Sequence, residues 1–320
     1  MVRDADGASL VRNYGHRMLT GLFLAALAST LFNGAVVLQA IEAREVPSEH
    51  GLRLSLLGRL ARRPRWLGGI GLSVAAVSLQ ILALTLAPLT VVQPADAAGL
   101  VLLATVGGRA LGERVGWREL ATVVGIILGI LAIVTLSPSV SSSDPSFGRV
   151  LPGLVLVGAV AASPYALRRR AGAQGLLVVF GAGFAFAASS FSIKLVANSL
   201  ATRSWTSLGL AAPIAAIAGV VGMLSEQTAL QRRPATRVTP IIFVIELVVP
   251  LLLAITIGGE SWGSNPLSLC SITAGMGRLI VSVLALMQMP AVSQLLAGDD
   301  QPSEPKAHAR LHAEPAPALV

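Results

Sequence analysis

The chain alternates between long apolar runs and short polar breaks. Nine apolar blocks stand out, at about 18–41, 66–87, 89–110, 118–137, 149–167, 174–197, 206–229, 236–258 and 267–290. Each is close to the roughly 20 residues that carry an α-helix across a bilayer core of about 30 Å. Period-two alternation is absent, so a membrane β-barrel does not fit. The breaks have local causes. In "LAPLTVVQP" Pro88 separates the second and third blocks, because a helix interior loses a hydrogen bond at proline. "SPSVSSSDPS", from Ser137 to Ser146, is a polar loop with two prolines. "RRR", Arg168 to Arg170, closes the fifth block, and "GSNP", Gly263 to Pro266, is turn chemistry. The tail beyond Leu296 is polar and proline-rich and reads as disordered.

Composition sharpens this picture. The 320 residues are 54% hydrophobic and 12% charged, with mean hydropathy +0.74. A soluble domain carries about 25% charged residues, so this chain lacks the means to cover a water-facing surface. The expected fold is all-α: a polytopic helical membrane protein with about nine transmembrane helices, whose first partner is the lipid bilayer. The first apolar block exceeds a signal-peptide core and is expected to be retained. The organisation read from the pattern is a polar N-terminal segment (1–17), a first transmembrane repeat (18–137), a loop and linking helix (138–173), a second repeat (174–292) and a disordered tail (293–320).

The formal charge of +8 would suggest nucleic acid in a soluble protein. Here the loops account for it. Most of the basic residues fall on one side: Arg44 to Arg65 after the first block, Arg109, Arg114 and Arg118, Arg168 to Arg170, Arg232, Arg233 and Arg237, then Lys306 and Arg310. Positive loops stay in the cytoplasm. This places the chain in the cell membrane with its N-terminus outside and its C-terminus in the cytoplasm, and no nucleic acid is needed.

The chemistry of an enzyme is not apparent. There is no phosphate-binding glycine loop with lysine, no nucleophile–base pair and no His/Cys ligand cluster, so no cofactor, metal or catalytic residue is assigned. His308 and His312 could share a helix face, but they sit in the Pro/Ala-rich tail. The single Cys270 excludes an internal disulfide.

The two halves resemble each other. "QILALTLAPLTVVQP", Gln80 to Pro94, aligns without gaps to "EQTALQRRPATRVTP", Glu226 to Pro240. Pro88 and Pro94 match Pro234 and Pro240, and Gly112-Glu113 and Gly259-Glu260 follow at similar distances. Each repeat then holds four helices around a central linking helix, 149–167. An offset of five helices inverts the second repeat against the first, an architecture of many secondary transporters. The four prolines become hinge candidates.

The motifs "RWLGG" (Arg65 to Gly69), "LAPLTVVQP" and "GERVGW" (Gly112 to Trp117), with "RVTP" and "GGESW" in the second half, resemble the drug/metabolite transporter superfamily, the group with EamA-like and NIPA-like members. "GAVVLQAIEAR" looks like its first helix, and "SSFSIKL" like the partner of that helix, with Lys194 where Gln39 falls. The resemblance covers about residues 18–290. It implies an alternating-access carrier of a small molecule or ion, and a homodimer is compatible with it. Nine helices are closer to the NIPA-like magnesium transporters. Their acidic residue before the hinge is matched by Glu226 but replaced by Gln80 in the first half. A non-transporting structural or regulatory membrane protein is the reading from a different class.

Ionisable groups at bilayer depth mark a pathway or a paired structural site. Asp96, Lys194, Glu226, Glu246 and Arg278 are the candidates. Glu246 and Arg278 lie at matching depths of adjacent helices and could pair, either to fix packing or to serve transport. Asp96 follows the hinge residue Pro94 and could pair with Lys194. A lysine near a helix end can also snorkel. Asp96 cannot reach far, and protonating during a cycle would suit a proton-coupled carrier. Glu226 reads as an interfacial ion pair with Arg232 or Arg233. Glu113 and Glu260 read as caps or loop contacts. Gln80 and Asn33 are expected to make helix–helix hydrogen bonds or to touch substrate. Gly125 and Gly129 in "GIILG" have the spacing of a close helix crossing.

Overall fold

The computed structural model describes residues 3–86, 89–113, 115–136, 147–167, 174–256 and 266–288. Among them there is no strand, and every predicted apolar block carries a helix. Helix α1 spans Arg3–Arg44, α2 Leu54–Leu60 and α3 Pro64–Leu86. Helix α4, Leu89–Leu102, runs through a π-helical turn, Leu103–Gly107, into the short α5, Gly108–Ala110. Then come α6 (Trp117–Leu136), α7 (Phe147–Ala166), α8 (Gln174–Ala201), α9 (Trp205–Arg232), α10 (Ala235–Thr256) and α11 (Pro266–Met287).

Among the described residues five helical stretches are long and apolar enough to cross a membrane: Arg17–Arg44, Pro64–Ala83, Gly148–Ala166, Gly175–Ile193 and Trp205–Arg232. Their outward faces carry large apolar residues such as Val74, Ile81, Leu156 and Ile217. Such faces are costly in water and at home in lipid. Trp117 and Trp205 are exposed at the starts of α6 and α9, where amphipathic rings suit the two membrane interfaces.

Two local expectations need correcting. The polar segment 1–17 is not separate from the first helix, because α1 already begins at Arg3. No proline interrupts that stretch, so the helix simply continues beyond its apolar part. The basic loop after α1 is also structured. It holds α2, whose Leu56 and Leu60 are buried with Val46, Trp66 and Leu224.

Helix α1 packs on α3 and α4, while α8 packs on α9 and α10, and α7 lies against α8. Helices α6 and α11 pack on each other. At that crossing a Cβ added to Gly129 would meet Leu279 at 2.9 Å and the Gly275 carbonyl oxygen at 3.0 Å. A Cβ added to Gly275 would meet Ile133 at 2.7 Å and the Gly129 carbonyl oxygen at 2.8 Å. The glycines are there because two backbones touch. The main core joins α1, α4, α6, α8, α9, α10 and α11 through residues including Val36, Leu103, Ile130, Val179, Leu230, Ile242 and Leu279.

One end of the bundle is tied by carboxylates. Glu113, just past α5, accepts from the backbone N–H of Ala235 (2.8 Å) and Thr236 (3.0 Å), from the Thr236 hydroxyl (2.6 Å) and from the guanidinium of Arg44. The carboxylate therefore caps the N-terminus of α10, where orphan N–H groups and the helix dipole favour negative charge. Glu119 caps the Gly116 N–H (2.9 Å) and holds Arg237 (2.8 Å). The C-terminal ends of α1, α4–α5 and α9 thus gather at one end with the N-terminal ends of α6, α8 and α10.

Candidate functional site

Helices α9 and α10 meet at Arg233 and Pro234, where the chain is extended and the helix stops. Counting back, Glu226 lies roughly 9 Å below the end of α9, at 1.5 Å per residue. Glu246 lies about 16 Å into α10 by the same rise. Their carboxyl groups are within electrostatic reach of each other. Both side chains are half-buried. Among the described residues Glu226 has no hydrogen-bond or ion-pair partner, whereas Glu246 accepts from the Ser190 hydroxyl of α8 (2.9 Å).

Small residues create this meeting. A Cβ on Gly183 would strike Ile245 at 2.8 Å, and one on Gly222 would strike the Phe186 ring at 2.8 Å. Glycine thus lets α8 approach α10 and α9 closely enough for Ser190 to reach Glu246. Pro250 adds a weak point, since it has no N–H to donate to the carbonyl of Glu246 one turn earlier.

Beside the acids runs a buried amide chain. The Trp66 indole N–H donates to Gln227 Oε1 (3.3 Å), Gln227 Nε2 donates to Gln39 Oε1 (2.7 Å), and Gln39 Nε2 donates to Ser73 Oγ (3.2 Å). It joins α3, α9 and α1. Gln227 is fully buried and Gln39 is 6% exposed, so the two bonds of Gln227 are sheltered from water.

The sequence candidates fall differently. Glu246 is half-buried on α10, and the expected pairing with Arg278 is not formed. Arg278 is exposed, because α11 buries the face carrying Ile272, Gly275, Leu279, Ser282 and Leu286 against its neighbours. Glu226 does not pair with Arg232 or Arg233, because Arg232 is exposed and Arg233 turns towards α8. Asn33 is buried on α1 beside Gly99 of α4, its amide nitrogen donating to the Ser29 carbonyl (2.8 Å) and its buried Oδ1 without a hydrogen-bond partner. Gln80 is half-buried on α3 and makes an interaction of its own.

Asp96, Pro94 and Lys194 belong to helices α4 and α8, but their side chains lie outside the described ones. Pro88 and Glu260 lie outside the described residues altogether. Pro234 stands at the break between α9 and α10, and Pro240 is buried inside α10. Among the described residues no group of three or more His, Cys, Asp or Glu could hold a metal ion.

Sequence reasoning underrated Gln39, Gln227 and the inward face of Glu226. The signal was present in "SEQT", Ser225 to Thr228, four consecutive polar residues in an apolar helix. Four successive residues occupy every face of a helix, so at least two must point inward.

An uncharacterized protein of Corynebacterium glutamicum is 27% identical over 291 residues, covering 87% of this chain and 98% of that protein. No family model matches the chain. No solved structure matches it either.

Proposed function

We propose that this chain is a secondary transporter of the drug/metabolite transporter type, moving a small solute across the cytoplasmic membrane by alternating access. The observation that carries the reading is the pair of half-buried glutamates on membrane-depth helices, Glu226 of α9 and Glu246 of α10. Two carboxylates within reach of each other at the depth of membrane helices are expensive to keep unless they serve a pathway. Among the described residues neither acid has an ion-pair partner, which speaks against a static structural pair.

The packing supports the inverted-repeat part of the proposal. Helix α1 bears on α3 and α4 as α8 bears on α9 and α10. Helix α1 ends at the carboxylate-tied end of the bundle, while α8 starts there. Helices α4 and α10 are opposed in the same way. Gly129 and Gly275 are separated by the same interval as Gln80 and Glu226, and so are Ile133 and Leu279. Each glycine touches the other's carbonyl and the other repeat's matching aliphatic residue, as a two-fold relation requires. In this reading nine helices span the membrane, α7 links the repeats, and the carboxylate-tied end faces the cytoplasm.

A second reading, a NIPA-like transporter of magnesium or another divalent cation, draws on the same pair of acids, which favour a positive substrate. Uptake into proteoliposomes separates the readings. Metabolites, organic cations and divalent cations are offered with and without a pH gradient. Saturable uptake of any of these above protein-free vesicles supports a carrier, and uptake confined to divalent cations selects the second reading. A chain inert to the whole panel would overturn both.

A further inference from the structure

We propose that Arg233 and the N-terminus of α8 form a binding site for a phosphate-bearing anion. Arg233 follows the last residue of α9 with extended backbone (φ −129°, ψ 151°), which swings its side chain away from that helix. The residue is only 9% exposed. Its guanidinium lies against Gly175 in the first turn of α8, where an added Cβ would meet Nη2 closely, Cζ at 2.9 Å and Nε at 3.6 Å.

Among the described residues the guanidinium, with its five N–H donors, has no hydrogen-bond or ion-pair partner. Its neighbours differ: Arg44 holds Glu113 and Arg237 holds Glu119. Glu113 cannot serve Arg233 as well, because both its oxygens are taken by Arg44, Ala235 and Thr236. The C-terminal end of α9 would attract a cation, but Arg232 in its last turn already answers it.

The surface Arg233 faces is positive as well. Helix α8 has 28 residues, and its first turn presents orphan N–H groups and the positive end of the dipole. Among the described residues no counter-charge meets this cation, and burial holds the guanidinium below the usual arginine range. Gly175, Leu176 and Leu177 keep some open surface, so the first turn is accessible. Guanidinium donors beside helix N–H groups are the combination that grips a tetrahedral phosphate oxyanion. At the end of membrane helices the phosphate can come from a lipid headgroup or from a free phosphate. The chemistry of the site is the same for both.

The test uses the full-length protein purified in mild detergent. Native mass spectrometry reads retained phosphatidylglycerol, and a melting series reads binding of inorganic phosphate. Arg233→Gln removes the charge. Gly175→Ala keeps the charge and a good helix but pushes the guanidinium aside, so it decides the matter if the first variant does not fold. Arg232→Gln is the control. Wild type and the control should bind one of the two probes, and both site variants should lose about tenfold in affinity or more. Lipid retention without a phosphate response assigns the headgroup, and the reverse assigns a free phosphate. If wild type binds neither, or the site variants bind as well as wild type, the proposal fails.

Discussion

Gly129 of α6 and Gly275 of α11 sit at the point where the two helices touch, each occupying the space that the other's side chain would need. The contact is reciprocal, since Leu279 covers one glycine and Ile133 the other. The expected cost of Gly129→Ala or Gly275→Ala is about 1–3 kcal/mol, from backbone displaced by overpacking. Gly68→Ala is the control, with nothing within 4 Å of the new Cβ. It should be neutral or should stabilise by roughly 0.5–1 kcal/mol through helix propensity. Thermal unfolding in detergent compares them; equal shifts for all three would mean that the crossing is not a tight contact.

The tie between Glu113 and α10 predicts a second stability effect. Glu113→Ala leaves the N–H groups of Ala235 and Thr236 uncapped and Arg44 without its carboxylate. A lost cap costs about 1 kcal/mol, and the pair adds less than a fully buried one because Arg44 is 30% exposed. The expected total is about 2–3 kcal/mol. In a double-mutant cycle with Arg44→Ala the two changes should be clearly non-additive. Additive losses would show that the ion pair contributes nothing beyond its parts.

Much of this architecture was legible in the chain, and the misses have physical causes. Apart from the early start of α1, the apolar blocks marked the membrane-length helices to within a few residues, because length and hydropathy are what a bilayer selects. "GIILG" marked a helix crossing for the same reason that small residues allow backbones to touch. Depth along a helix misled the pairing of charges. Glu246 and Arg278 match in depth, but the face of α11 decides, and Arg278 is off the buried one. Glu226 is near Arg233 in sequence, yet the extended backbone at Arg233 turns that side chain to Gly175. Helix α2 and the π-helical turn at Leu103–Gly107 escaped notice because a seven-residue helix and a one-turn distortion leave no periodic signal.

The amide chain makes a third prediction. Gln227→Leu leaves the Trp66 indole N–H and the Gln39 carbonyl oxygen buried without partners. Each unsatisfied group costs roughly 1–3 kcal/mol. Gln39→Leu in the same protein removes one of those orphans, so the double variant should be less destabilised than the sum of the singles. Chemical denaturation of the four proteins measures this; a sum that simply adds would break the chain into independent residues.

Topology supplies a fourth. In a Cys270→Ser background, cysteine replaces Thr202 between α8 and α9, or Arg62 between α2 and α3. An impermeant maleimide should label Thr202→Cys on intact cells and Arg62→Cys only after permeabilisation. The opposite pattern would invert the orientation, placing the carboxylate-tied end outside.

The central claim rests on the two glutamates Glu226 and Glu246. The direct measurement is the initial uptake rate, for whichever solute wild type carries, in Glu226→Gln, Glu246→Gln and Asp96→Asn proteoliposomes matched for folded protein. The account predicts that Glu226→Gln and Glu246→Gln each lower the rate by about tenfold or more, a loss of roughly 1.4 kcal/mol, with melting temperatures near that of wild type. Asp96→Asn should lower it as well if that carboxylate shares the pathway. Wild-type rates in both glutamate variants would contradict the account.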